Sequence, residues 1–347
     1  MSPRVLDVRA LVDPHASAAA LAAARAAIDE ASALLRRGGL VALPTETVYG
    51  LGAHALDEAA IARIFAAKGR PASHPLIAHV LHLDGARAVA DDVERARVLT
   101  DALWPGPLTV VLPRALGAPA ALSGGLATVA VRAPAHPVAR ALIAALGAPI
   151  AAPSANRYQH VSPTTAAHVV RSLGEAVDLV LDGGPSDSGI ESTVVDLTGA
   201  PRMLRPGPLS LATLRALLPG IGVGPSTVAH DEARVSPGLD ARHYAPGAPT
   251  SLFSSPPPWR VGQGALLCGD EHAVAARSAG VHVVVLPSNP EGYARGLYAA
   301  LHELDAAALS RIFVESVPSG ERWDAVRDRV TRAAHVALGT VGGAQKS

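Results

Sequence analysis

Lysine is almost missing from this 347-residue chain: of 30 Lys plus Arg, only Lys68 and Lys346 are lysine, and Lys346 lies in the tail. With arginine written wherever a generic cation suffices, the ammonium in the run IFAAKGRP points to chemistry that wants a compact point charge beside the planar fork of Arg70. Cysteine occurs once, as Cys268 in the apolar run GALLC. An intramolecular disulfide is thereby excluded, a reducing compartment is expected, and the thiol reads as a small core side chain. Aromatic residues are 3% of the chain, so Ala, Val and Leu must fill the interior. Net charge is lacking too, since 30 acidic residues balance 30 basic ones. The whole molecule therefore offers no general attraction for nucleic acid or an anionic membrane, and any anion it binds must be held by a local cluster. Neither a charged-then-apolar leader nor an unbroken run of about twenty apolar residues occurs, which predicts a cytoplasmic protein without membrane contact.

Absent motifs narrow the chemistry further. Without GxxxxGK[ST] there is no phosphate cradle of the P-loop kind. Without GxSxG, HExxH or CxxC, the serine hydrolase, zinc protease and structural zinc classes lose their support. GIGVGP at 220–225 precedes no helix, so it is a poor dinucleotide fingerprint. His79 and His82 stand three apart in IAHVLH, a spacing that turns them to opposite faces of a strand. No metal site is expected.

What is present describes a large soluble globular chain: 49% hydrophobic and 17% charged residues argue for a sizeable core and against disorder. The length exceeds what one core usually supports, so two domains are expected, 1–218 and 259–340, joined by a linker or lid over 219–258. Residues 17–36 read as an amphipathic helix ending at Gly38 and Gly39, and 57–68 as a second with Ile61, Ile64 and Phe65 on one face. GLVALP, PLIAHV, LTVVL, TVAVR, APIAAP, VDLVLD and STVVDL are short β-rich runs. Helical stretches near 92–103, 137–146 and 164–173 separate several of them. The segment TETVYGLGAHAL interrupts the core pattern. So many closely spaced strands predict a mixed α/β sheet with flanking helices rather than a simple βαβ series. Gly, Pro and Ser thicken over 219–258, and loops of that length are often functional, which makes the string ARHYAP a candidate site element. Beyond it GALLC, VHVVVLP and RIFVESV alternate with helices near 271–279, 291–304 and 321–335, the pattern of a small Rossmann-like domain with a parallel sheet.

Four patches of the first domain carry small, hydroxyl or cationic residues that a plain core would not need: 44–52, 68–79, 152–156 and 188–196. Each follows or begins a strand, so their polar ends are expected to converge on one edge of the sheet. Lys68 and Arg70 sit at a helix C-terminus, which favours cations. Pro71 ends that helix, so both head groups are expected to project beyond it. With Arg132 and Arg205 they would form a local polyphosphate site, each charge-assisted bond contributing on the order of 1.5–3 kcal/mol where water is excluded. One such arginine alone is as well explained by a solvated side chain. Ser154, Asn156, Ser162, Ser192 and Thr193 add neutral hydrogen-bond groups suited to a ribose, a purine edge or an amino-acid hydroxyl. Ser162 also reads as the start of a helix, with Pro163 just inside it.

Taken together, PTETVYGLG, KGRPASHPLI, WPGPLTVVL, TVAVRAPAHPVA, PIAAPSAN, SPTTAAHV, GIESTVVD and LRPG resemble the L-threonylcarbamoyladenylate synthase family, with its YrdC-like fold. The linker SPGLDARHYAP and the segment after it resemble the longer, two-domain members. The resemblance implies a nucleotidyltransferase that makes threonylcarbamoyl-AMP and pyrophosphate from L-threonine, bicarbonate or CO2, and ATP. It implies ATP as a substrate carried with Mg2+, no tightly bound cofactor, a downstream threonylcarbamoyl-transferase complex as partner, and tRNA position 37 as an indirect target. It places Thr47, His79, Arg132, Ala152 and Ser192 around threonine. Around ATP it places Lys68, Arg70, His74, Thr128, Ser154, Asn156, Ser162, Arg205 and Tyr244, with Lys68 and Arg70 as the catalytic cations. Two positions depart from the family pattern: His74, where relatives commonly carry Asn, and the loop 157–161, where a Ser-Gly pair is usual. A double-stranded-RNA-binding module is the alternative, disfavoured by the zero net charge. Carbamoyl transfer as in hydrogenase-maturation relatives is a second one, disfavoured because those proteins carry extra zinc-finger and acylphosphatase-like segments while this chain has one cysteine.

Overall fold

The computed structural model describes residues 3–224 and 243–334; Lys346, the stretch 225–242 of the expected linker and residues 335–340 of the expected second domain lie outside them. Helix Ala18–Arg36 starts where the Ser17 side chain accepts from the Ala20 amide, and its stripe of Ala24, Ala27, Ile28, Ala31 and Leu35 is buried. It packs on helix Pro137–Leu146, whose Val138, Leu142 and Ile143 join the same apolar cluster. Helix Glu58–Lys68 is capped by Asp57 and stopped by Gly69, which takes the left-handed conformation with φ 62°.

Eleven strands of the described residues form one mixed sheet, with helices packed against it. Its centre runs Gly50–His54, Ile150–Ala151, Ile77–His79, Thr128–Arg132, Leu108–Pro113, Thr193–Asp196 and Arg202–Arg205. Two of these are invisible in the composition. Gly50–His54 falls inside the segment that interrupts the core pattern, because close packing demands glycine there. A Cβ on Gly52 would stand 2.9 Å from Leu43 and 3.0 Å from Ile150. Arg202–Arg205 has arginine at both ends and is recognised only by its antiparallel pairing to Thr193–Asp196.

The second sheet has four strands, all parallel, in the order Thr250–Phe253, Arg311–Glu315, Gln263–Cys268, His282–Leu286. Its first strand lies within the stretch that Gly, Pro and Ser content marks as linker, hidden by the prolines that flank it. The two sheets are joined through a shared core: Val48, Val161 and Ile190 cluster with Tyr244, Leu297, Tyr298 and Leu301. At Gly189, φ 73°, a Cβ would meet the Ala294 and Arg295 backbone at 2.5–2.6 Å, so the chains touch there with no side chain between them. No described helix is long and apolar enough to cross a membrane.

Candidate active site

A cavity of about 540 Å3 of space between atoms, part of it open to solvent, lies over the central strands. Ile77 and His79, two apart on one strand, both line it, so the cavity rests on a face of the sheet rather than on the edge that the strand-end pattern suggests. His79 is in register with Arg132 on the parallel neighbour, and Ala152 follows the antiparallel one.

Of the residues assigned to threonine, Thr47, His79, Arg132, Ala152 and Ser192 all line this cavity. Arg132 donates to Thr47 Oγ1 at 2.7 Å and to the Gly106 carbonyl at 3.2 Å, and its Nη2 lies 2.7 Å from Glu46 Oε1. The first two are hydrogen bonds, whereas Nη2 and Glu46 are paired by charge alone, and Nη2 is buried without a hydrogen-bond partner among the described residues. Burial is the largest single influence on Glu46 and opposes its ionisation, but the Arg132 charge and polar contacts with Arg132 and the backbone together outweigh it, so the carboxyl titrates below its usual range. Burial, then the Arg132 charge, lowers His79 to about 4, which keeps the imidazole neutral at neutral pH. Ser192 Oγ is 2.7 Å from Thr109 Oγ1 and receives Arg205 at 3.2 Å.

The residues assigned to ATP divide. Arg70, Ser154, Arg205 and Tyr244 line the cavity, whereas Lys68, His74, Thr128, Asn156 and Ser162 do not. Lys68 does not project past its helix. It lies on the same stripe as Ile61, Ile64 and Phe65, is 3% exposed, and its ammonium donates to the Ser154 carbonyl at 2.5 Å and to the Asn156 carbonyl. Burial and the Arg70 charge push its pKa well below the ordinary lysine value. His243, also on the cavity, is held neutral by burial and by Arg70, Lys68, Arg205 and Arg332. Cations crowd this side, and a polyanion would relieve them. Arg70 donates to the Pro75 carbonyl at 3.2 Å and lies 5.8 Å from the Tyr158 ring centre.

Asn156 fastens the loop after Pro153 by donating to the Arg157 and His160 carbonyls at 2.8 Å. Its Oδ1, like Thr128 Oγ1 and Tyr244 Oη, is buried without a hydrogen-bond partner among the described residues. Tyr244 adopts φ 60°, and burial raises its phenol to about 12, so a neutral donor faces the cavity. His74 meets Tyr158 edge to face at 5.3 Å, so the two departures from the family pattern touch each other.

Sequence inspection missed Glu46 and Glu191. Both are acids in the middle of otherwise apolar and hydroxyl-rich patches, and that position was the available signal. Glu191 lines the cavity and accepts Ser162 Oγ at 2.6 Å. The cations also bear on the RNA-binding alternative: Arg70, Arg132 and Arg205 are 8%, 3% and 3% exposed, out of reach of a duplex backbone.

The described residues form an α/β protein in which a cavity lined by Arg70, Arg132 and Arg205 lies over a mixed sheet, with a parallel four-stranded unit appended. The family model described as telomere recombination matches residues 33–207, and the one described as threonylcarbamoyl-AMP synthase, C-terminal domain, matches residues 209–335. A threonylcarbamoyl-AMP synthase of Pyrococcus abyssi is 39% identical over 320 residues, covering 87% of this chain and 92% of the relative. One of Bacillus subtilis is 38% identical, covering 88% and 92%. The crystal structure of P. abyssi Sua5 complexed with L-threonine superposes with a TM-score of 0.84 at 36% identity, over 95% of this chain and 97% of that one. The chain belongs to the threonylcarbamoyl-AMP synthase family.

Proposed function

We propose that this chain is a threonylcarbamoyl-AMP synthase, a nucleotidyltransferase that joins L-threonine, bicarbonate and ATP and releases pyrophosphate, supplying the intermediate for N6-threonylcarbamoyladenosine at tRNA position 37. The observation that carries the reading is one cavity holding Arg132, whose Nη2 has no hydrogen-bond partner among the described residues, beside Arg70 and Arg205. Arg132 grips the threonine carboxylate in a bidentate fork, and Thr47, His79, Ala152 and Ser192 complete the seat. The amine, left unbound, attacks the carbon of bicarbonate or CO2 and loses its proton, with water leaving in the bicarbonate case. A carbamate oxygen then attacks the α-phosphorus, the bond to the β-phosphate oxygen breaks, and pyrophosphate departs. Arg70 and Lys68 neutralise the charge that builds on the phosphates, while Arg205, Ser154, Asn156, Ser162, Thr128, His74 and Tyr244 bound the nucleotide. Positioning and electrostatic stabilisation suffice without an enzyme nucleophile, orientation alone supplying on the order of 7–11 kcal/mol.

Among the described residues no group of three or more His, Cys, Asp or Glu is placed to hold a metal. In this reading a magnesium ion would arrive with the nucleotide as part of the substrate, and no step is assigned to it. In this reading 1–218 is the catalytic domain, 219–258 a lid and 259–340 a C-terminal domain. The protein acts in the cytoplasm and hands its product to a threonylcarbamoyl-transferase complex. The test is to incubate the protein with ATP, bicarbonate and each amino acid in turn and measure pyrophosphate. Threonine is expected to give the fastest release by a wide margin; release that ignores the amino acid added would refute the assignment.

A further inference from the structure

The active-site wall is fastened from outside the catalytic domain. Glu191 is 7% exposed, and besides Ser162 its carboxylate accepts Tyr298 Oη at 2.9 Å and Arg329 Nε at 2.9 Å. Tyr298 is on helix Pro290–Ala306 and Arg329 on helix Asp324–Ala333, both in the C-terminal unit. Arg329 is completely buried. Its Nη1 reaches the Pro206 carbonyl at 3.0 Å and Asp328 Oδ2 at 2.8 Å, its Nη2 reaches the Glu191 carbonyl at 3.4 Å, and its guanidinium lies 5.3 Å from the Tyr244 ring centre. Glu191 precedes Ser192, and Pro206 follows Arg205. The two segments are pressed together, since a Cβ on Gly207 would stand 2.3 Å from the Thr193 nitrogen, and Arg205 donates to the Ser192 carbonyl at 3.0–3.1 Å.

We infer that Arg329 is a positioning residue for the reaction, holding Arg205 and Tyr244 in register on the nucleotide side of the cavity through Glu191 and the Pro206 carbonyl. The inference rests on the proposed function. A buried ion pair is a poor source of stability, because an apolar pair of similar volume holds two domains together as well. An apolar pair lacks the ability to orient a carboxylate and two carbonyls at once, and that is what a planar five-donor fork supplies. Among the described residues Arg132 and Thr47 make no hydrogen bond to Arg329, so the consequence is expected to fall on nucleotide handling.

The test compares Arg329→Met, Arg329→Lys and Tyr298→Phe with the full-length wild type, measuring thermal unfolding, threonine affinity by calorimetry, and kcat and KM for ATP. For Arg329→Met, kcat is expected to fall roughly thirtyfold and KM for ATP to rise about tenfold, in line with charge-assisted bonds. Threonine affinity is expected to stay within about threefold. Arg329→Lys recovers part of kcat because its ammonium still reaches Glu191. Wild-type kcat and KM in a folded Arg329→Met, or equal losses of threonine and ATP affinity, overturns the inference. Should Arg329→Met fail to fold, Tyr298→Phe, which removes one hydroxyl from Glu191, decides: KM for ATP rises severalfold with threonine affinity unchanged, or the inference falls. A wild type that releases no pyrophosphate with threonine refutes the functional assignment itself, which separates the two failures.

Discussion

Lys68→Ala is expected to slow pyrophosphate release by about a hundredfold or more while leaving threonine affinity within about threefold, since charged hydrogen bonds contribute on the order of 1.5–3 kcal/mol each. The ammonium donates to the Ser154 and Asn156 carbonyls, and Ser154 lines the cavity, so losing it leaves two acceptors unpaired on the nucleotide side. It also removes a cation whose pKa burial and Arg70 have already depressed. A triphosphate arriving nearby would oppose the Arg70 field and favour the charged form. Arg132, Thr47 and His79, the proposed threonine seat, make no hydrogen bond with Lys68 among the described residues, so threonine is expected to bind as before. Initial-rate kinetics and calorimetry check this. Parallel loss of turnover and threonine affinity would place the lysine in the other subsite.

Arg132→Met has the second large effect, and it acts on binding and stability together. Threonine affinity is expected to fall at least about a hundredfold, because the fork that takes the carboxylate is gone. Stability is expected to drop by about 3–5 kcal/mol, because Glu46, 7% exposed and 2.7 Å from Arg132, is left as an uncompensated buried carboxylate. Adding Glu46→Gln to Arg132→Met removes the orphaned charge and is expected to return most of the stability but none of the threonine binding. Chemical denaturation and calorimetry on the two single variants and the double separate these outcomes. A double variant that binds threonine normally would show that Arg132 only serves Glu46.

Periodic features were legible in the sequence. The helix stripes, the parallel C-terminal unit and the cation set all appear as patterns within a few residues. Lys68 shows where such reasoning stops short: the spacing that puts Ile61, Ile64 and Phe65 on the buried face extends to residue 68, while helix-end electrostatics alone favours an exposed head group. Strand Gly50–His54 was hidden because its glycines answer to Leu43 and Ile150, neighbours no local pattern reveals. Thr250–Phe253 was hidden by flanking prolines and is defined by pairing with Arg311–Glu315, about 60 residues on. Glu46 and Glu191 were passed over for the same reason. Each gains its meaning from an arginine far away in the chain, Arg132 for one and Arg329 for the other.

A crystal structure with L-threonine and a non-hydrolysable ATP analogue bound together is the most direct measurement of whether one cavity serves both substrates. The threonine carboxylate is expected within hydrogen-bond distance of Arg132, and triphosphate oxygens within hydrogen-bond distance of Arg70 and Arg205. A nucleotide whose phosphates touch neither arginine, or which sits on another face of the protein, would contradict the account.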